Sequence, residues 1–126
     1  MDCGASHYKM DPVFFVKYAE LRQHHGVEHA HPARCTDHSD RKNPSVFEPV
    51  HGSAFDIMGK GIANPIGAIW AAADMLAWLG EQESADAIMG AIERVCKEEK
   101  VTADMGGELN TKQAAAAICE ALSATK

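Results

Sequence analysis

Asn64 and Pro65 precede a run in which Ile66, Ile69, Trp70, Ala73 and Leu76 recur at short helical intervals, and Gly80 closes the run. This spacing puts the apolar residues on one side of a helix. Asn64 supplies a capping side chain, and Pro65 suits the first helical position because an N–H there would lack an intrahelical partner. Gly80 can take the left-handed conformation that ends a helix. The spacing therefore predicts a helix over residues 65–79 with one apolar face to bury. Two further helices are predicted to pack with it. One covers residues 84–99, capped by Ser84, with Ile88, Ile92 and Val95 on one face. The other covers residues 111–123, capped by Thr111, with Ala115, Ile118, Cys119 and Leu122 inward. Between them "TADMGGELN", residues 102–110, reads as a loop. Residues 46–50, within "SVFEPV", form the best strand, and Pro49 marks it as an edge or irregular one.

The chain changes character near Lys42, which divides it into a leader, 1–42, and an ordered part, 43–126. Its 126 residues suit one domain or part of one. Six of the seven histidines lie in the leader. One helix is expected there, with Asp11 as its cap, Pro12 at its first position, and Phe14, Tyr18 and Leu21 on one face. Beyond Gln23, "HHGVEHAHPARCTDHSDRKNP" has no apolar period and reads as loop or disorder. His25, His29, His31, Cys35 and His38 are zinc-compatible ligand types, but their spacing fits no familiar finger and Pro32 interrupts it. A metal-binding leader and a solvated, irregular one are both open readings.

A net charge of -6 argues against a general nucleic-acid surface or attraction to an anionic membrane. Cys3, Cys35, Cys96 and Cys119 form no C-x-x-C pair. Cys96 and Cys119 fall within helical patterns, where buried, reduced thiols are expected. The richest apolar segment, residues 66–79, is too short to span a bilayer and contains Asp74. No signal peptide is visible, and the expected setting is a reducing cytoplasm.

The chemistry-bearing stretch is "FEPVHGSAFDIMGKGIANP", residues 47–65. Gly52, Gly59 and Gly61 allow turns and close backbone approach to a ligand. Successive N–H groups at Gly52, Ser53 and Ala54 suit an anion-binding concavity. Asp56 can accept hydrogen bonds from a vicinal diol, as an acidic residue does against a ribose. Asn64 can cap its helix or pair with a base edge. Neither G-x-G-x-x-G nor G-x-x-x-x-G-K-[ST] is present, so neither the Rossmann nor the P-loop mechanism applies. By residue type alone, a plain connection and a surface role for His51 suit the same stretch.

That stretch, followed by "GAIWAAADMLAWLG" and "VTADMGG", closely resembles the isocitrate and isopropylmalate dehydrogenase family over residues 43–126. Phe55 stands where the family usually has proline, and "RKNPSVFEPVHGSAFDI" is most similar to the branch acting on tartrate and D-malate. The resemblance implies an α/β fold unlike the Rossmann fold, of which this chain would be an α-rich C-terminal fragment behind an irregular leader. It implies oxidation of a small 2-hydroxy diacid by NAD with Mg²⁺ or Mn²⁺, often with decarboxylation, in a homodimer. By position, His51, Gly52, Ser53 and Ala54 would line the cofactor. Asp56 would hold the adenosine ribose, Ile57 would pack near the adenosine, Asn64 would face the adenine, and Glu48 would lie toward the nicotinamide. The family's metal aspartates, substrate arginines and proton-transferring Tyr and Lys have no recognisable counterpart in residues 1–42. No catalytic or metal residue is therefore assigned, and the chain alone is expected to be inactive. A non-catalytic helical interaction module is the alternative.

Overall fold

The structure, a computed structural model, describes residues 33–36, 45–49 and 51–124. Among the described residues two short strands come first: β1 (Ala33–Thr36) and β2 (Val46–Pro49). They pair antiparallel, with Arg34 opposite Glu48 and Cys35 opposite Phe47. β1 corrects the reading of this segment as loop or disorder. Its order comes from backbone pairing with β2, which leaves no period in the sequence to detect. β2 matches the expected strand and lies in a two-stranded sheet, where Pro49 is tolerated. The expected helix after Asp11 lies outside the described residues.

Three helices follow: α1 (Ile66–Leu79), α2 (Gln82–Lys97) and α3 (Thr111–Ser123). α1 packs on both strands and on α2, and α2 packs on α3. Phe47 of β2 meets Trp78 of α1 with ring centroids 5.9 Å apart and planes tilted by 58°. The core is apolar and built from all three helices: Ile66 and Trp70, Ile92 and Val95, and Ile118 are almost inaccessible. Burial of an aliphatic or aromatic side chain of this size contributes about 1.5–3 kcal/mol, before the entropy of ordering it is set against that gain.

The helix ends show where local signals decided and where they did not. At the end of α1, Gly80 has φ 95°, its N–H donates to Ala77 O, and the Glu81 N–H donates to Leu76 O. This paired closure is a Schellman motif. It delivers the chain straight into α2, which starts at Gln82, so Ser84 lies in the first turn and is not the cap. The cap of α3 is Asn110 rather than Thr111. Asn110 Oδ1 accepts from the Gln113 N–H at 2.9 Å, and Gln113 Oε1 accepts from the Asn110 N–H at 3.0 Å. The inward face of α3 carries Ala114, Ile118 and Ala121, whereas Cys119 is exposed. Cys119 follows Ile118 directly, so helical geometry turns it roughly 100° away from the core. Cys96 is buried as expected.

Residues 102–110 are more ordered than their reading as a loop. Thr102 is fully buried and bridges Leu109 in parallel, and a 3-10 turn at Ala103–Met105 buries Met105. Met105 enters the core from this segment, and Val101 does so just before it. Two contributing residues four apart are too few to register as a period. At the preceding helix end, the exposed Lys100 ammonium lies 2.7 Å from the Glu98 carboxylate. That hydrogen bond and charge hold the Glu98 carboxyl below its usual range and the Lys100 ammonium above its own.

Candidate functional site

Residues 51–64 leave β2, cross the surface and enter α1. Along β2, Phe47 and Pro49 are half-buried while Val46 and Glu48 are exposed. Glu48 therefore stands on the opposite face of the strand from Pro49. His51 lies on Pro49's side. Its Nδ1 is 3.1 Å from Gly52 O, the geometry of an Nδ1–H donor, and its Nε2 side lies over Gly67 of α1. A methyl group on Gly67 would come within 3.0 Å of His51 Nε2 and 3.5 Å of Pro49 Cβ. Gly67 thus makes room for the imidazole, which accounts for a poor helix former in the first turn.

Gly52, Ser53, Ala54 and Asp56 are all exposed, and Ile57 is half-buried. Ala54 has φ 43° and ψ 56°, an uncommon left-handed conformation for a residue with a Cβ. It opens a 3-10 turn at Phe55–Ile57 in which Ala54 O accepts from the Ile57 N–H at 3.1 Å. This turn holds the Asp56 carboxylate out in solvent. Apolar side chains of the same loop are also open: Phe55 is 75% exposed, Met58 65% and Ile62 50%. Residues 51–62 therefore present polar groups and apolar surface along one loop, as a ligand with a charged and an aromatic part would require.

The far end of the loop is clamped by chain-distant residues. Gly61 O accepts from the Thr111 N–H at 2.9 Å, and Ala63 O accepts from the Thr111 hydroxyl. Asn64 Oδ1 accepts from the Ile66 N–H at 2.9 Å, but the residue that borders α1 is Pro65, one position later than the expected cap. Its Nδ2 donates to Asp104 Oδ2 at 2.9 Å, and the buried Thr102 hydroxyl donates to Asp104 Oδ1. Gly67, Asp104 and Thr111 were given no place at the site by the sequence. A glycine in a first helical turn was a signal for the first; for the others the contacts are too distant in the chain to leave one.

Among the described residues, no group of three or more His, Cys, Asp and Glu side chains could hold a metal ion. His25, His29, His31 and His38 lie outside those residues. Among the described residues, no helix is long and apolar enough to cross a membrane.

The model of the isocitrate/isopropylmalate dehydrogenase family matches residues 33–121, starting at the first residue of β1. A probable tartrate dehydrogenase/decarboxylase of Agrobacterium vitis is 55% identical over 83 residues, which are 66% of this chain and 23% of that protein. The decarboxylating D-malate dehydrogenase of Escherichia coli K12 is 51% identical over 86 residues, covering 64% of this chain and 24% of its own length. The chain thus spans about a quarter of the length of the curated relatives it matches. The crystal structure of a beta-decarboxylating dehydrogenase from Thermococcus kodakarensis superposes with a TM-score of 0.60 at 42% identity, over 64% of this chain and 24% of that one. An isocitrate dehydrogenase from Methylococcus capsulatus gives 0.62, also at 42% identity, over 64% of this chain and 25% of that one. The helix-rich portion of this non-Rossmann fold is the architecture expected from the sequence.

Proposed function

The chain belongs to the isocitrate/isopropylmalate dehydrogenase family, and we propose that it carries the NAD-binding loop of a dehydrogenase for a small 2-hydroxy diacid of the tartrate or D-malate type. The observation that carries this reading is the exposed Asp56 carboxylate, held on a 3-10 turn directly after a left-handed Ala54, in a loop with open apolar side chains. A carboxylate can accept hydrogen bonds from both hydroxyls of a ribose. The backbone at Gly52, Ser53 and Ala54 would face the phosphates, with His51 lining the same stretch. Ile57 would lie beside the adenosine, and Asn64 would meet the adenine. Glu48, on the other face of β2, would serve the nicotinamide end only if the ligand passes that edge.

When bound, NAD supplies the hydride acceptor. The chain's own contribution is to hold and orient the adenosine half. Mg²⁺ or Mn²⁺ belongs to the chemistry implied for the whole enzyme, but no described group fits a divalent cation. In the whole enzyme, a cytoplasmic homodimer would oxidise the hydroxy acid, with decarboxylation where the substrate allows it.

Asp56 should also select NAD over NADP, because it would repel a 2′-phosphate at close range. Removing the carboxylate should cost roughly 1–3 kcal/mol of NAD binding. The test is calorimetric or NMR titration of the chain and its Asp56→Ala variant with NAD and NADP. A wild-type chain that binds both cofactors equally, or neither, would overturn the reading.

A further inference from the structure

We propose that Thr111 is a positioning residue for the 51–64 loop and holds it in the shape that receives the dinucleotide. The inference rests on the reading above that this loop binds NAD. The loop has little of its own to hold that shape. Of residues 51–63 only Ile57 is even half-buried. A Cβ on Gly52, Gly59 or Gly61 would meet nothing beyond its chain neighbours within 4 Å, so packing does little to fix the backbone. The internal hydrogen bonds are short-range: Ala54 O accepts from the Ile57 N–H, Phe55 O from the Met58 N–H and Ile57 O from the Lys60 N–H. They shape the turns and leave the orientation of the loop open. Gly59 and Gly61, at φ 75° and 67°, give the chain two further points at which it can swing.

Thr111 supplies what the loop lacks. Among the described residues it makes the only hydrogen bonds that reach residues 51–63 from outside the loop. Its N–H donates to Gly61 O at 2.9 Å, and its hydroxyl donates to Ala63 O across 48 residues of chain. One bond would leave the segment free to turn about it. Two bonds to carbonyls two residues apart fix its path. Thr111 is itself firmly placed. It is the first residue of α3, directly after the Asn110 cap, and α3 is anchored in the core through Ala114, Ile118 and Ala121. The N–H of a first helical residue has no partner inside its helix, so the bond to Gly61 O takes nothing from α3. Thr111 touches no ligand in this reading. It acts through the loop backbone: a loop already held in its bound shape has less freedom to lose when the ligand arrives.

The experiment is NMR titration of the 126-residue chain with NAD, with urea unfolding of each variant in parallel. Thr111→Val keeps the backbone bond and removes the hydroxyl one. It should weaken NAD by about three- to tenfold. Thr111→Ser restores the hydroxyl and should bind within about twofold of the wild type. Ser123→Ala loses a hydroxyl that donates to Cys119 O within α3, and it should leave NAD affinity unchanged. All three should keep a urea midpoint close to that of the wild type, so that lost affinity is not lost folding. Linkage adds a readout that needs no variant. If the clamp favours NAD, NAD must in turn tighten the clamp, and the Thr111 amide should exchange more slowly in the saturated wild type. An unchanged rate at that amide would overturn the inference. So would a folded Thr111→Val that binds NAD as tightly as the wild type, or a Thr111→Ser that binds as weakly as Thr111→Val. In those cases loss of binding in Asp56→Ala still upholds the NAD site, and the positioning role fails alone. If the wild type binds no NAD, the NAD-site reading fails and takes this inference with it.

Discussion

Gly107 passes so close to Val101 that a Cβ on it would meet the Val101 carbonyl oxygen at 2.0 Å and its carbonyl carbon at 2.6 Å. The same carbonyl accepts from the Leu109 N–H at 3.1 Å, and Gly107 donates its own N–H to Thr102 O at 3.1 Å. This close approach folds residues 101–109 back on themselves. It buries Val101, Thr102 and Met105 while leaving Asp104 exposed beside Asn64.

Gly107→Ala should therefore be among the most damaging single substitutions in the chain. The clash is with backbone, which cannot rotate aside as a side-chain tip can. Overpacking of this kind costs about 1–3 kcal/mol, and the upper end is expected here. Urea unfolding followed by tryptophan fluorescence should show a lower midpoint, with an unchanged slope if the unfolded state is unaffected. A midpoint equal to that of the wild type would show that the turn is far more pliable than its geometry indicates.

Asn110 and Thr111 are adjacent but should fail differently. Asn110→Ala removes the cap of α3 and should cost about 0.5–2 kcal/mol of global stability. Thr111→Val removes only the hydroxyl that donates to Ala63 O, while the backbone bond to Gly61 O stays. It should raise hydrogen exchange locally in residues 61–64 and leave α3 protected. Native-state exchange read by NMR separates the two. Equal loss of protection along α3 in both variants would show that Thr111 helps cap the helix after all.

Cys96 and Cys119 give a chemical test of the packing. Burial, with a smaller contribution from Glu93, pushes the Cys96 thiol up to about 11. Cys119 is exposed. In a background with Cys3 and Cys35 replaced by serine, a thiol reagent at pH 8 should label Cys119 readily and Cys96 only after unfolding. The sign of the pH effect follows from linkage. Above the ordinary thiol range the unfolded chain releases a proton that the folded chain keeps, so the unfolded state binds fewer protons and folding stability falls as pH rises. That loss should run from about 9 toward about 11 and be absent in Cys96→Ala. Labelling of Cys96 as fast as Cys119 in the folded chain would contradict the burial.

What could be read in the sequence was what is encoded locally. Asn64, Pro65 and Gly80 delimit α1 within a residue because caps and left-handed turns act over one or two positions. Ser84 misled because the turn at Gly80 and Glu81 leaves no residues for a separate cap. Asn110 and Thr111 are both capping residue types, and only the reciprocal bond with Gln113 distinguishes them. Asp104 was silent because its partner lies 40 residues away. β1 was silent because a strand ordered by backbone pairing needs no pattern of its own. The 47–65 loop was identified through family resemblance, since its residue types alone also describe an ordinary connection.

This chain by itself should not turn over a hydroxy acid. Hydride transfer needs the substrate carbon and the nicotinamide at near-contact distance, and a displacement of about 1 Å can cost on the order of a hundredfold in rate. The groups proposed to meet the cofactor here serve its adenosine half, and they stand on an exposed loop rather than in a closed cleft. The sequence offers no counterpart to the arginines and the Tyr–Lys pair that the family resemblance implies for binding the diacid and moving its proton. A net charge of -6 gives a dianionic substrate no general attraction either. The measurement is NADH absorbance with pure chain, NAD, Mn²⁺ and a panel of tartrate, D-malate and isopropylmalate. The expected rate is that of the blank. Activity that copurifies with the chain and disappears in Asp56→Ala would mean that residues 1–42 supply catalytic groups of an unfamiliar pattern, and it would move the active site to include the leader.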